Sequence, residues 1–127
     1  MGDRNIVQVT PFMHVADLEA AVRFFEDTLG FATSFRVDGY AYVEREGAGV
    51  RIQSHSDALE LGIPHRGFAY YFDVRDIDAL TAELAPKLAG LTAGSVHGPV
   101  DQGYGQRELM IRAPDGNLIV FGQVIGN

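Results

Sequence analysis

A chain of 127 residues, 46% hydrophobic and 21% charged, can bury one sizeable core and leaves no room for a second full domain, so residues 1–127 read as a single domain. It has no cysteine, which excludes disulfides, thiolate zinc sites and cysteine nucleophiles together. Seventeen acids against ten bases, a net charge of -7 and Lys87 as the only lysine leave no basic stripe for phosphates, so nucleic acid is not an expected partner.

Residues 1–5 lack the pattern of a secretory leader, and no window approaches the roughly 18 apolar residues of a bilayer span. The cytoplasm is the expected compartment, with no membrane partner. The first alternating run covers 6–12, with Val7 and Val9 on one side and Gln8, Thr10 and Phe12 on the other. Asp17 then reads as an N-cap for a helix that turns Leu18, Ala21, Val22, Phe25 and Leu29 inward and stops at Gly30. Strand-like runs follow at 32–37, 40–45 and 50–55, divided by Asp38-Gly39 and Gly47-Ala48-Gly49.

Past a turn-rich stretch the order repeats. Residues 68–74 read as a strand with Phe68, Tyr70, Phe72 and Val74 on one side, and Asp76 caps a helix carrying Ile77, Leu80, Leu84 and Leu88 inward. Pro86 is expected to kink that helix or end it early, because it cannot donate to the preceding turn. Strands are predicted at 92–97, 107–112 and 118–124, with Pro114-Asp115-Gly116 as the last hairpin turn. A shift of 59 positions lays Val15 on Val74, Asp17 on Asp76, Leu18 on Ile77, Ala20 on Ala79, Leu29 on Leu88 and Thr33 on Thr92. Two βαβββ modules, at about 5–56 and 67–125, predict an α+β fold of curved mixed sheets around a cleft.

The stretch from Asp17 through Phe25 to Gly30-Phe31 resembles the first helix of the glyoxalase, bleomycin resistance and extradiol dioxygenase superfamily, the vicinal oxygen chelate fold. The stretch from Tyr104-Gly105-Gln106-Arg107-Glu108 through Ala113-Pro114-Asp115-Gly116-Asn117 to Phe121-Gly122 resembles the closing hairpin of its bleomycin-resistance-like branch. The resemblance implies paired modules whose open grooves are completed in a homodimer. It also supplies a test, since metal enzymes of the superfamily chelate a divalent ion from the first and last strands of each module. Carried over, those positions fall at Thr10, Gln53, Ala69 and Val120. Only Gln53 could bind metal, and one neutral amide cannot offset the dehydration of such an ion.

Other chemistry is poorly supported. His14, His55, His65 and His97 show no paired spacing, and Ser95 near His97 and Asp101 lacks a nucleophile elbow. Gly47-Ala48-Gly49 and Gly103-Tyr104-Gly105 read as turns rather than dinucleotide loops.

With the family's ligand phase taken as the inward face, alternation sends Gln8, Thr10, Phe12, Tyr40, Tyr42, Arg51, Gln53, His55, Ala69, Tyr71 and Asp73 toward the groove. Val7, Val9, Ala41, Val43, Val50, Ile52, Phe68 and Phe72 then face the helices. Tyr104 and Arg107 are expected to close one end. Phe12, Tyr40, Tyr42, Arg51, Gln53, Tyr71, Asp73, Tyr104 and Arg107 are therefore the candidate ligand-binding residues, suited to a flat or cationic organic molecule. The expected function is metal-free, cofactor-free sequestration of such a compound by a homodimer similar to bleomycin resistance proteins. The alternative is a metal-dependent lyase, isomerase or oxygenase whose ion is held by Gln53, His55 and either Glu44 or Glu108.

Overall fold

The computed structural model describes residues 5–54 and 68–126. Its first strand, β1 (Phe12–Val15), buries Met13 and Val15. This displaces the strand expected at 6–12: Val7 and Val9, expected in the core, are 89% and 91% exposed, and residues 5–11 lie outside any strand. Alternation states which side a residue takes but not whether a partner strand exists. Here pairing with β4 (Ala48–Ser54) begins only where Arg51 N donates to Pro11 O, at 3.0 Å.

The capped helix forms as predicted, with Asp17 Oδ1 accepting from Ala20 N at 3.1 Å. Its first part, α1 (Leu18–Arg23), continues through one wide π turn, Phe24–Thr28, in which Leu29 N reaches Phe24 O at 3.2 Å. The wider turn brings the adjacent rings of Phe24 and Phe25 into the core together. Gly30, at φ +77°, ends the helix in a conformation that a side chain would strain. After β2 (Ala32–Val37) and β3 (Tyr40–Arg45), the sheet closes in the order β1-β4-β3-β2, with β1 and β4 parallel.

The second module repeats this plan with β5 (Ala69–Asp73), α2 (Ile77–Leu88), β6 (Val96–Asp101), β7 (Gln106–Arg112) and β8 (Leu118–Val124) in the order β5-β8-β7-β6. Asp76 caps α2 as Asp17 caps α1, its Oδ1 accepting from Ala79 N at 3.0 Å. Pro86 does not end α2 early. It sits in the last turn, where its missing N–H forfeits a single bond and Ala89 N still reaches Ala85 O at 3.0 Å. β6 begins four residues later than the predicted 92–97, because Ser95 N closes a turn on Thr92 O at 3.0 Å. It carries Pro99, which is tolerated because β6 is an edge strand.

The helix-facing sides of both modules feed one core that runs from Met13 and Phe25 to Ile119 and Phe121. A chain of rings crosses between modules, with centroids 5.1 Å apart for Phe25 and Phe31, 5.6 Å for Phe31 and Phe72, and 5.3 Å for Phe72 and Phe121. Phe68, expected against the helices, is instead 45% exposed, one residue before β5 begins. The turn Pro114–Gly116 and its successor Asn117 fasten the modules. Asp115 accepts from Ala16 N, and the fully buried Asn117 donates to His14 O at 3.3 Å while accepting from Phe68 N at 3.2 Å. Arg45 adds a link by donating to Glu83 at 2.6 Å and to Leu29 O at 2.8 Å. Among the described residues, no helix is long and apolar enough to cross a membrane.

Candidate functional site

Each sheet buries one face in the shared core and leaves the other open. On the first sheet the buried face carries Ala41, Val43, Val50 and Ile52, all fully buried as expected. Strand alternation then turns Phe12, Tyr40, Tyr42, Arg51 and Gln53 to the open side. The register brings them together, with Phe12 opposite Arg51, Tyr42 opposite Arg51 across the next pair, and Gln53 opposite Tyr40.

Arg51 organises this group. Its Nη1 donates to Tyr40 Oη at 2.8 Å, and its guanidinium carbon lies 5.5 Å from the centroid of the Tyr42 ring. Tyr40 stands 6.3 Å from Phe12 and 6.0 Å from Phe35. Together Phe35, Tyr40, Tyr42 and Arg51 line an open hollow of about 490 Å³. Tyr42 can lie down because residue 49 is glycine; a Cβ there would overlap its hydroxyl.

The open face of the second sheet carries Tyr71 and Asp73, and Tyr104 reaches it from the β6–β7 loop. Tyr71 rests its hydroxyl on Gly122, another position where a Cβ would collide, and donates to Gln106 Oε1 at 3.1 Å. Tyr71 as a whole is 44% exposed although its hydroxyl is tucked against Gly122. Desolvation, helped by the nearby carboxylates of Glu108 and Asp73, pushes the Tyr71 phenol up to about 12. Tyr104 donates to the Glu108 carboxylate at 2.9 Å, and that bond raises its own pKa.

Arg107 does not join them. It projects from the other side of β7, where it donates to Asp101 at 2.6 Å and to Asp78 of α2 at 3.1 Å. The bond to Arg107 holds the Asp101 carboxyl below its usual range. The expected ligand-binding residues thus fall into two groups on two sheets, with Arg107 in neither. Residues missed from the sequence include Phe35 and Val37, opposite Tyr42 and Tyr40, and His14, opposite Gln53. The alternation of Phe35 with Val37 was the available signal. Glu108, expected only as a metal ligand, belongs to the open face of the second sheet with Tyr104 bonded to it.

The donors do not fit the divalent ion that the fold family implies. Ala69 and Val120 both belong to the open side of the second sheet and have no lone pair to offer. Thr10 lies before β1, and His55 is outside the described residues. Glu44 and Gln53 are four cross-strand pairs apart on the first sheet, roughly 13 Å along the strands. Glu108 belongs to the other sheet, so of the two glutamates named for the metal reading only Glu44 shares a sheet with Gln53. Among the described residues, no group of three or more His, Cys, Asp or Glu could hold a metal ion.

The sequence profile of the Glyoxalase/Bleomycin resistance protein/Dioxygenase superfamily matches residues 6–121. No curated protein matches by sequence. The fold is shared with a bleomycin-binding protein from bleomycin-producing Streptomyces verticillus, solved with copper(II)-bleomycin. That likeness has a TM-score of 0.75 and 26% identity over 98% of this chain and 99% of the other. TnmS3, an antibiotic binding protein from a Streptomyces species, is similar with a TM-score of 0.71 and 27% identity over 95% of this chain and 98% of its own. A bleomycin resistance determinant encoded on the transposon Tn5 has the same fold, with a TM-score of 0.75 and 24% identity over 94% of this chain and 98% of that one. With its twice-repeated βαβββ plan and a profile match over nearly its whole length, the chain belongs to the Glyoxalase/Bleomycin resistance protein/Dioxygenase superfamily.

Proposed function

We propose that this protein is a metal-free binding protein that sequesters a flat aromatic, cationic compound in grooves formed between two copies of the chain. The observation that carries the reading is the pair of open sheet faces, rich in exposed rings and, among the described residues, without a group of donors that could hold a metal. Phe12 and Phe35 on the first sheet are 45% and 54% exposed and Tyr71 on the second is 44% exposed, and large exposed rings of this kind mark interaction surfaces. A copy of the first sheet laid against a copy of the second encloses such rings on both sides of a planar guest. The structural likeness to proteins solved as bleomycin-binding and antibiotic binding supports the same ligand class.

Sequestration needs affinity and no stabilised transition state; a micromolar dissociation constant already corresponds to about -8 kcal/mol. The test is calorimetric titration of the purified protein with bleomycin and with planar dyes such as 9-aminoacridine and acridine, run beside sedimentation analysis. Binding at one site per groove in a dimer is the expected result. A protein that binds none of these compounds refutes the reading, and stoichiometric zinc, nickel, manganese or iron in protein purified without chelator favours the enzyme.

A further inference from the structure

Glu108 is the one buried charge among the described residues. It is 5% exposed, and Asn117 is the only other buried polar side chain described. Its donors are neutral. The Tyr104 hydroxyl lies 2.9 Å from each carboxylate oxygen but has one proton to give, and Gln102 Nε2 donates at 3.2 Å. The Tyr71 hydroxyl also bonds toward it, so every donor around the carboxylate is neutral and none offsets its charge. No described cation pairs with it: Arg107, its neighbour in β7, is committed to Asp101 and Asp78 on the opposite face. Arg112 shares its face but stands four residues along the strand, roughly 13 Å away.

A negative charge held out of water by neutral donors is costly unless a positive charge comes to it. This one lies beneath Tyr104, a residue 69% exposed, beside Tyr71, with Asp73 on the same open face. A phenol that hydrogen-bonds to a carboxylate also has a more electron-rich ring, which strengthens the attraction of its face for a cation.

We propose that Glu108 is the charge-selecting residue of the groove: a cationic aromatic guest stacks on Tyr104 and Tyr71, and its positive charge is drawn to the carboxylate behind them. This rests on the reading of the open faces as a ligand site. It goes further by naming which sheet reads charge and through which group.

The experiment compares two dyes of nearly equal outline at pH 7.5, 9-aminoacridine, which is cationic there, and acridine, which is neutral. In fluorescence titrations the wild-type protein is expected to prefer 9-aminoacridine about tenfold. Glu108→Gln is expected to bring the ratio near one by weakening 9-aminoacridine more than acridine, whereas Tyr104→Phe, which keeps the carboxylate, keeps the preference. If Glu108 only anchors Tyr104, both variants weaken both dyes alike and the ratio stays, which overturns the proposal. Should Glu108→Gln fail to fold, carbon NMR of the wild-type Glu108 carboxyl decides. A shift with 9-aminoacridine but not with acridine is expected, and equal or absent shifts overturn it. If bleomycin binds but the dyes do not, or bind without preference, the charge selection fails alone; if nothing binds, the ligand site fails with it.

Discussion

At the scale of single residues, the open faces depend on what their tyrosines rest against. Tyr71 lies flat only because residue 122 is glycine. Gly122→Ala is expected to lower stability by about 1–3 kcal/mol, the usual penalty for overpacking, and to lift the Tyr71 hydroxyl from Gln106. Urea unfolding measures the first effect and loss of dye binding the second.

The same phenol gives a pH signature. Its pKa rises from 10.0 to about 12 on folding, so between those values the unfolded chain releases a proton that the folded chain keeps. The stabilisation is complete below pH 10 and falls as pH rises toward 12. Ultraviolet titration is expected to show late ionisation of Tyr71 and Tyr104, and Glu108→Gln is expected to bring both down, since Glu108 contributes to each shift.

At the scale of elements, the two caps offer a direct comparison. Asp17 and Asp76 bond the N–H three residues on with nearly identical geometry, so Asp17→Ala and Asp76→Ala are each expected to cost about 1 kcal/mol in urea unfolding. Asn117→Ala is expected to cost more, about 2–3 kcal/mol, because it leaves the His14 carbonyl and the Phe68 amide without their partner.

The elements whose signals are local were legible in the sequence: both capped helices, the Asp38-Gly39 hairpin and the Pro114-Asp115-Gly116 turn. β2, β3 and β8 match their predicted bounds. β1 and β6 do not: β1 begins only where the distant β4 offers it hydrogen bonds, and β6 only after the turn that Ser95 N closes on Thr92 O. Arg107 shows the same limit in the site. It is expected to close one end of the groove with Tyr104, but the register of β7 puts Glu108 on the open face and therefore Arg107 on the other.

For the whole molecule, the shared core and the uncovered sheet faces separate folding from assembly. Phe35 is 54% exposed in the chain, so Phe35→Glu is expected to change monomer stability by no more than about 0.5 kcal/mol. The same change places a charge in the proposed seam between copies. Sedimentation is expected to show a shift from dimer to monomer with loss of dye binding, and a dimer that persists counts against the shared groove. The two faces were only half legible for a related reason. Strand phase set Phe12, Tyr40, Tyr42 and Tyr71 apart from the core but put Phe68 on the wrong side, and which sheet faces which is decided by the helix-side core that joins the modules.

The chain contains five tyrosines and no tryptophan, and Tyr40, Tyr42, Tyr71 and Tyr104 all belong to the open faces while Tyr70 is buried. Its intrinsic emission therefore originates mostly where a guest would lodge. A phenol bonded to a carboxylate is already dimmed, so displacing Tyr104 from Glu108 should brighten the protein while stacking quenches its neighbours. The molecule carries its own optical gauge of occupancy, readable without any added label.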